Sequence, residues 1–189
     1  DQPGTYAILE NLPRITIAYK DVMHQEWRVT SPLFGGHNAK NIITALMVGR
    51  HFRVPDKDMA EAIASYIPSN NRSQIVHKGS TRIIMDAYNA NPSSMELAVR
   101  AFAAQYPDGF IVLGDMKEVG PESSSAHRQM LELVAAMSFN KIYVVGNAFS
   151  EAYETLEIND SRIMHFDDIH SLKAIWQWDK CHGKALLLK

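Results

Sequence analysis

Apolar positions change their spacing along this chain, and the change divides it. From Thr5 to about Thr30, short segments rich in β-branched and aromatic residues alternate with turn signals. Residues 6–9, 14–19 and 26–29 predict strands, with Asn11-Leu12-Pro13 breaking the first pair. The alternation over 14–19 suits an antiparallel strand with one wet face, and Trp27 reads as packing. Gly35-Gly36 ends this pattern. Asn38 is then placed to cap a helix whose apolar face is Ile42, Ala45, Leu46 and Gly49. A second helix is predicted from Asp56, with Met59, Ala62, Ile63 and Tyr66 on one side. Pro68-Ser69-Asn70-Asn71 closes the region and is the expected boundary between domains 1–69 and 70–189.

Beyond that point the punctuation is different. Gln74-Ile75-Val76-His77, a Lys78-Gly79-Ser80 turn and residues 82–86 predict a hairpin. Apolar runs at 110–113, 142–145, 162–164 and 185–188 follow, separated by helical patterns at about 92–105, 122–137, 148–156 and 168–178. Near-continuous apolar strands between helices predict an α/β domain: a Rossmann-like, mostly parallel sheet with helices on both faces. In such sheets ligands bind beyond the carboxyl ends of the strands.

That rule draws attention to Asp86-Ala87-Tyr88-Asn89-Ala90-Asn91-Pro92. The stretch follows a strand, Ile83-Ile84-Met85, and precedes a helix with Met95, Ala98, Val99 and Phe102 on one face. Asn91 suits the N-cap and Pro92 the first helical position, so an ordinary capping turn is one reading. A ligand edge holding a carboxylate, two amides and a tyrosine is the other. Gly114-Asp115-Met116-Lys117-Glu118-Val119-Gly120 follows the next strand and reaches the same edge. It reads either as a solvated loop or as a second part of a site.

Composition narrows the partners. The 189 residues are 46% hydrophobic and 21% charged, with a formal net charge of −2. The balance gives no basic field for nucleic acid or anionic membranes, and no apolar run approaches a bilayer span. The start, Asp1-Gln2-Pro3-Gly4, has neither the basic nor the apolar region of a signal peptide, so a cytoplasmic protein is expected. It also lacks an initiator Met, and an excerpt from a longer chain, truncated at its end, is expected. The single cysteine, Cys181, excludes an internal disulfide and reads as a small residue near a strand edge. His165, His170 and His182 match no zinc spacing, and His127 shares a helical face with Met130, Leu131 and Val134 as a packed histidine would. Neither a G-x-x-x-x-G-K-[ST] phosphate loop nor a G-x-G-x-x-G fingerprint occurs.

Taken in order, Gly36-His37-Asn38-Ala39-Lys40-Asn41, Asn70-Asn71-Arg72-Ser73-Gln74, the 86–95 stretch and the 113–120 stretch closely resemble the Mur ligases of peptidoglycan synthesis. The resemblance runs from about Leu33 to Val145; Val119 stands where the family commonly has Leu. It implies that 1–69 is the end of a central ATPase domain and 70–189 most of a C-terminal ligase domain. The phosphate loop, a carbamylated lysine and the Mg2+ ligands would then lie upstream. Within the family the wording is most like members that join D-alanyl-D-alanine to UDP-N-acetylmuramoyl-tripeptide by ATP-driven amide formation.

On that resemblance Asn38 and Asn41 lie beside the nucleotide base, Arg72 meets the ATP ribose and phosphates, and Asp86 accepts from the ribose hydroxyls. Tyr88, Asn89 and Asn91 match acceptor-binding positions; Asp115 and Glu118 are candidates to meet the incoming amine. No residue of this stretch is expected to be catalytic, the fragment is expected to be inactive alone, and a monomer is expected. Domain closure is expected about Pro68–Arg72. The alternatives are another Mur-type or folylpolyglutamate-type ligase with a different amine, or a non-catalytic nucleotide-binding or interaction module.

Overall fold

A computed structural model describes residues 5–10 and 14–189; the break predicted at Asn11-Leu12-Pro13 lies outside the described residues. The chain divides into two compact units, Asp1–Ser69 and Asn70–Lys189.

In the first unit, β1 (Tyr6–Glu10), β2 (Ile15–Lys20) and β3 (Glu26–Ser31) form an antiparallel sheet with β2 in the middle. Ile15, Ile17, Tyr19 and Val29 pack with Ala39, Ile42 and Leu46 of α1 (Asn38–His51) and Met59 of α2 (Asp56–Ser65). Trp27 packs against this core, and its Nε1 donates to Asp21 at 3.0 Å. The buried stripe of α1 is thus Ala39, Ile42 and Leu46, and Ala45 is exposed. On α2, Met59 and Ile63 face the core, while Ala62 and Tyr66 are exposed. Both predicted faces were too wide: alanine has little apolar surface to lose when exposed, and tyrosine carries a polar tip that can stay in water. Gly49 lets the Met59 side chain pack close, since a Cβ there would lie 2.6 Å from its sulfur and push it aside. Asn38 is not the predicted cap: His37 holds that position and Asn38 opens the first turn.

In the second unit, β4 (Gln74–Lys78) and β5 (Thr81–Met85) form the hairpin, turning at Gly79 with φ of 59°. The positive φ costs glycine no Cβ clash. β5 then pairs in parallel with β9 (Ala185–Leu188), and β9 with β6 (Phe110–Gly114). β7 (Lys141–Val145) and β8 (Ile163–Phe166) complete a six-stranded sheet of order β4-β5-β9-β6-β7-β8, parallel except for β4. Its helices are α3 (Pro92–Gln105), α4 (Ser123–Ala135), α5 (Asn147–Thr155) and α6 (Ile169–Ile175).

Period-two alternation gives the sheet two apolar rows. Ile83, Phe110, Val112, Tyr143 and Leu186 pack with Leu172 of α6 and with Cys181. The opposite row, Ile84, Ile111, Leu113, Ile142, Val144 and Leu187, is fully buried. The α3 stripe Met95, Ala98, Val99 and Phe102 is buried as its spacing predicts. The helix predicted over 168–178 stops at Ile175, because Trp176 leaves it to meet Tyr143 edge-on at 5.3 Å; a short 3-10 turn, Trp178–Cys181, follows.

The carboxyl end of β6 is tied to α5. Asp115 accepts from the N–H groups of Ala148 and Phe149, both at 3.1 Å, so it caps the helix and complements its dipole. Gly146, at φ 124°, admits that carboxylate; a Cβ would stand 2.2 Å from its carbon. His127 beneath is fully buried: its Nε2 accepts from Met116 N–H at 3.0 Å, its Nδ1 donates to Ser123 O at 2.7 Å, and its ring meets Phe149 edge-on. Both ring nitrogens are thereby satisfied in the neutral tautomer.

Three stability outcomes follow, each read as the midpoint and slope of urea unfolding. Leu187→Ala lowers stability by about 2–5 kcal/mol through a cavity between sheet and helices. Gly146→Ala lowers it by roughly 2–5 kcal/mol, combining backbone strain with the Asp115 clash. Asp115→Ala costs about 0.5–2 kcal/mol as a lost cap, and an unchanged midpoint would refute the capping role.

Candidate functional site

The strands β5, β9 and β6 end side by side, and the hydrogen-bond ladder runs one residue past them. Asp86 N–H donates to Leu188 O at 2.9 Å, Lys189 N–H to Val112 O at 2.9 Å, and Gly114 N–H to Lys189 O at 2.7 Å. Backbone pairing therefore fixes the Cα positions of Asp86 and Lys189 before their side chains make any contact.

Those side chains meet. Lys189 Nζ donates to Asp86 Oδ2 at 2.8 Å and to the carbonyl of Asn89 at 3.0 Å. Asp86 Oδ1 accepts from Ser73 N–H at 2.9 Å. The lysine side chain is 4% exposed and the aspartate 14%, so the ion pair is largely desolvated and its remaining hydrogen bonds matter. Oδ1 also takes the Ser73 hydroxyl at 3.4 Å, which leaves the spare lone pair of the carboxylate on Oδ2. Lys189 went unrecognised in the sequence. The signal was there: it is an ionisable residue directly after an apolar strand, as Asp86 and Asp115 are.

The bond to Ser73 also shapes the segment before β4. Ser73 and Asn71 have φ of 53° and 58°, a left-handed conformation on either side of Arg72 that only the asparagine adopts readily. The Arg72 guanidinium carbon lies 3.7 Å from the centre of the Tyr88 ring, a cation–π stack. No acceptor among the described residues takes the Arg72 N–H groups, so the edge of the fork remains open to an anion.

A cleft of about 450 Å³ opens at this edge, its wall including Tyr88, Asn89, Lys117, Glu118 and Lys189. Across it Asn89 Nδ2 donates to Glu118 Oε2 at 3.0 Å, while Asn89 Oδ1 accepts from its neighbour Ala90 N–H. Arg72, Asp86, Tyr88, Asn89 and Glu118 are thus brought together. Two expected members are otherwise engaged. Asp115 borders the cleft, but its carboxylate is spent on the α5 amides, which corrects its reading as a partner for an incoming amine. Asn91 Oδ1 accepts from Ser94 N–H at 2.9 Å and Ser93 Oγ at 3.0 Å, so its carbonyl serves as the α3 cap.

Asn38 and Asn41 belong to the first unit. Asn38 is buried and donates to Phe34 O at 2.8 Å; Asn41 is exposed and donates to Asn38 Oδ1 at 2.9 Å. The rest of the molecule offers less chemistry. Among the described residues no three His, Cys, Asp or Glu form a group able to hold a metal ion, and no helix is long and apolar enough to cross a membrane. His165 stacks on Tyr153 with ring centres 4.7 Å apart. Cys181 is buried, and burial pushes its thiol pKa up, away from thiolate chemistry.

Comparison with known proteins agrees with this geometry. A family model described as "Mur ligase, glutamate ligase domain" matches residues 71–189. The UDP-N-acetylmuramoyl-tripeptide–D-alanyl-D-alanine ligase of Treponema pallidum is 31% identical over 89% of this chain, and the chain spans 37% of that relative's length. Among solved structures, MurF from Acinetobacter baumannii has the same fold at a TM-score of 0.83, with 23% identity over 95% of this chain and 40% of its own. MurF ligase from Thermotoga maritima in complex with ADP matches at a TM-score of 0.71, with 21% identity over 97% of this chain and 42% of its own. With the family model matching residues 71–189, over the whole sheet that carries the cleft, this chain belongs to the Mur ligase family.

Proposed function

We propose that this chain is part of an ATP-dependent ligase that joins D-alanyl-D-alanine to UDP-N-acetylmuramoyl-tripeptide, with 70–189 as its C-terminal domain and 1–69 as the end of its ATP-binding domain. The observation that carries this reading is the cleft beside Tyr88, whose wall holds Glu118 and Lys189 of opposite charge together with the Asn89 amide. A short zwitterion needs that combination: an acid for its ammonium, a base for its carboxylate and an amide to fix orientation. The curated relative of the same name supports the choice of dipeptide.

ATP supplies the phosphoryl group that activates the tripeptide's carboxylate as an acyl phosphate. This chain's residues position the second reactant. Glu118 draws in the ammonium end of the dipeptide; once that amine has given a proton to water it attacks the acyl carbon, and the tetrahedral intermediate expels phosphate. Holding the amine in line replaces a bimolecular encounter with an oriented one, and such orientation is worth up to about 7–11 kcal/mol. The open edge of Arg72 suits nucleotide phosphates, and the remaining lone pair on Asp86 Oδ2 suits a ribose hydroxyl. Asn41, exposed on α1, suits the base, with buried Asn38 behind it. Among the described residues no group of three His, Cys, Asp or Glu could hold Mg2+.

Amine competition in the ligase that contains this chain tests the assignment. D-alanyl-D-alanine alone should support turnover; diaminopimelate, lysine or glutamate accepted in its place would reassign the ligase within the family. Asp86→Ala should raise the apparent KM for ATP by about tenfold or more, the size of a lost charged hydrogen bond. Unchanged ATP dependence would remove Asp86 from the nucleotide site. Asn89→Ala should raise the KM for the dipeptide more than that for ATP, and the reverse order would count against the cleft as the acceptor site.

A further inference from the structure

We infer that Lys189 is the residue of the cleft that recognises the carboxylate of the acceptor dipeptide. The inference rests on the function proposed above and deepens it, since the family match by itself gives this lysine no task.

An ammonium has three donors in a fixed tetrahedral arrangement. Asp86 Oδ2 and the Asn89 carbonyl take two of them, at 2.8 and 3.0 Å. The side chain is 4% exposed and the residue lines the cleft, so a third donor is within reach of a ligand bound there. A tie to Asp86 alone would not need a lysine. A hydroxyl or an amide donates as well, without the desolvation that a buried ammonium imposes. Its backbone N–H and C=O are both paired with β6, which holds the group in place, so little entropy is lost when a ligand docks.

Of the basic residues that line the cleft, Lys189 is the one held in place; Arg72, stacked on Tyr88, is assigned above to the nucleotide phosphates. Asp86 is its ion-pair partner, with its other oxygen on Ser73 N–H. Asp115 is bound to the α5 amides, and Glu118 is held by Asn89 on the facing loop. Lys117 also borders the cleft, but it is exposed to solvent. A ligand with a carboxylate at one end and an ammonium at the other is therefore oriented, carboxylate to Lys189 and ammonium towards Glu118. Reversed, it would set like charges against each other at both ends.

The test is calorimetric titration of the ligase that contains this chain with D-alanyl-D-alanine and with D-alanyl-D-alaninamide, which keeps the ammonium and lacks the carboxylate. The unaltered ligase should bind the dipeptide about tenfold or more tighter than the amide, the size of one charged hydrogen bond. Lys189→Gln should bind both at the level of the amide, and Lys189→Arg should restore part of the preference. Equal weakening of both ligands by Lys189→Gln, or a preference that survives it, overturns the inference while leaving the cleft's reading intact. Failure of the unaltered ligase to bind either ligand at millimolar concentration overturns both. A second readout needs no variant: in the ligase labelled with 15N-lysine, the Lys189 ammonium resonance should move with the dipeptide and not with the amide. A resonance indifferent to both, under saturating dipeptide, also overturns it.

Discussion

The carboxylate of Asp86 is the point on which the ligand edge of this molecule depends. It gathers three stretches distant in sequence: the loop before β4 through Ser73, the strand that carries Asp86 itself, and the end of β9 through Lys189. Unpaired, either charge would be costly at such low exposure, and a buried pair is only as good as its additional hydrogen bonds. Here those bonds do structural work as well. One holds a serine in a left-handed conformation that its own preferences oppose, and that in turn sets Arg72 against Tyr88. The other pins the carbonyl of Asn89 and so orients the turn from which Tyr88 and Asn89 project.

The second unit's fold was legible because its signals are local and mutually consistent. Apolar runs of strand length, helices with buried stripes, and an Asn-Pro helix start each name their element, and the Asn91 cap forms as its position implies. Pairing order was not legible. Nothing in Ala185-Leu186-Leu187-Leu188 announces that it inserts between β5 and β6, because a strand buried on both faces reads alike at any interior position. The helix faces of the first unit were half legible. Large aliphatic residues declared themselves, whereas Ala45, Ala62 and Tyr66 suit either side.

For the site, sequence identified which side chains reach the ligand edge and not what they do there. Asp115 and Glu118 lie on one loop with the same charge, yet one closes a helix and the other faces the cleft. The difference comes from Gly146, which lets the Asp115 carboxylate approach α5. No rule of spacing joins Gly146 to Asp115. Lys189 was missed for a related reason: its partner Asp86 is 103 residues away, and only the parallel pairing of β5 with β9 makes them neighbours.

The sheet's order has one more consequence, for how the chain acquires its structure during synthesis. The β4–β5 hairpin and the β6–β7–β8 layer share no pairing of their own; β9 alone joins them, and it is translated last of the six. Until it emerges, the nascent chain carries two half-sheets, each with an apolar edge and unpaired amides open to other chains. Closing them spans a large sequence separation, which makes the step slow as well as late. The hazard for this protein therefore lies at the ribosome and in dense expression, when many unfinished copies stand close together with the same gap to fill.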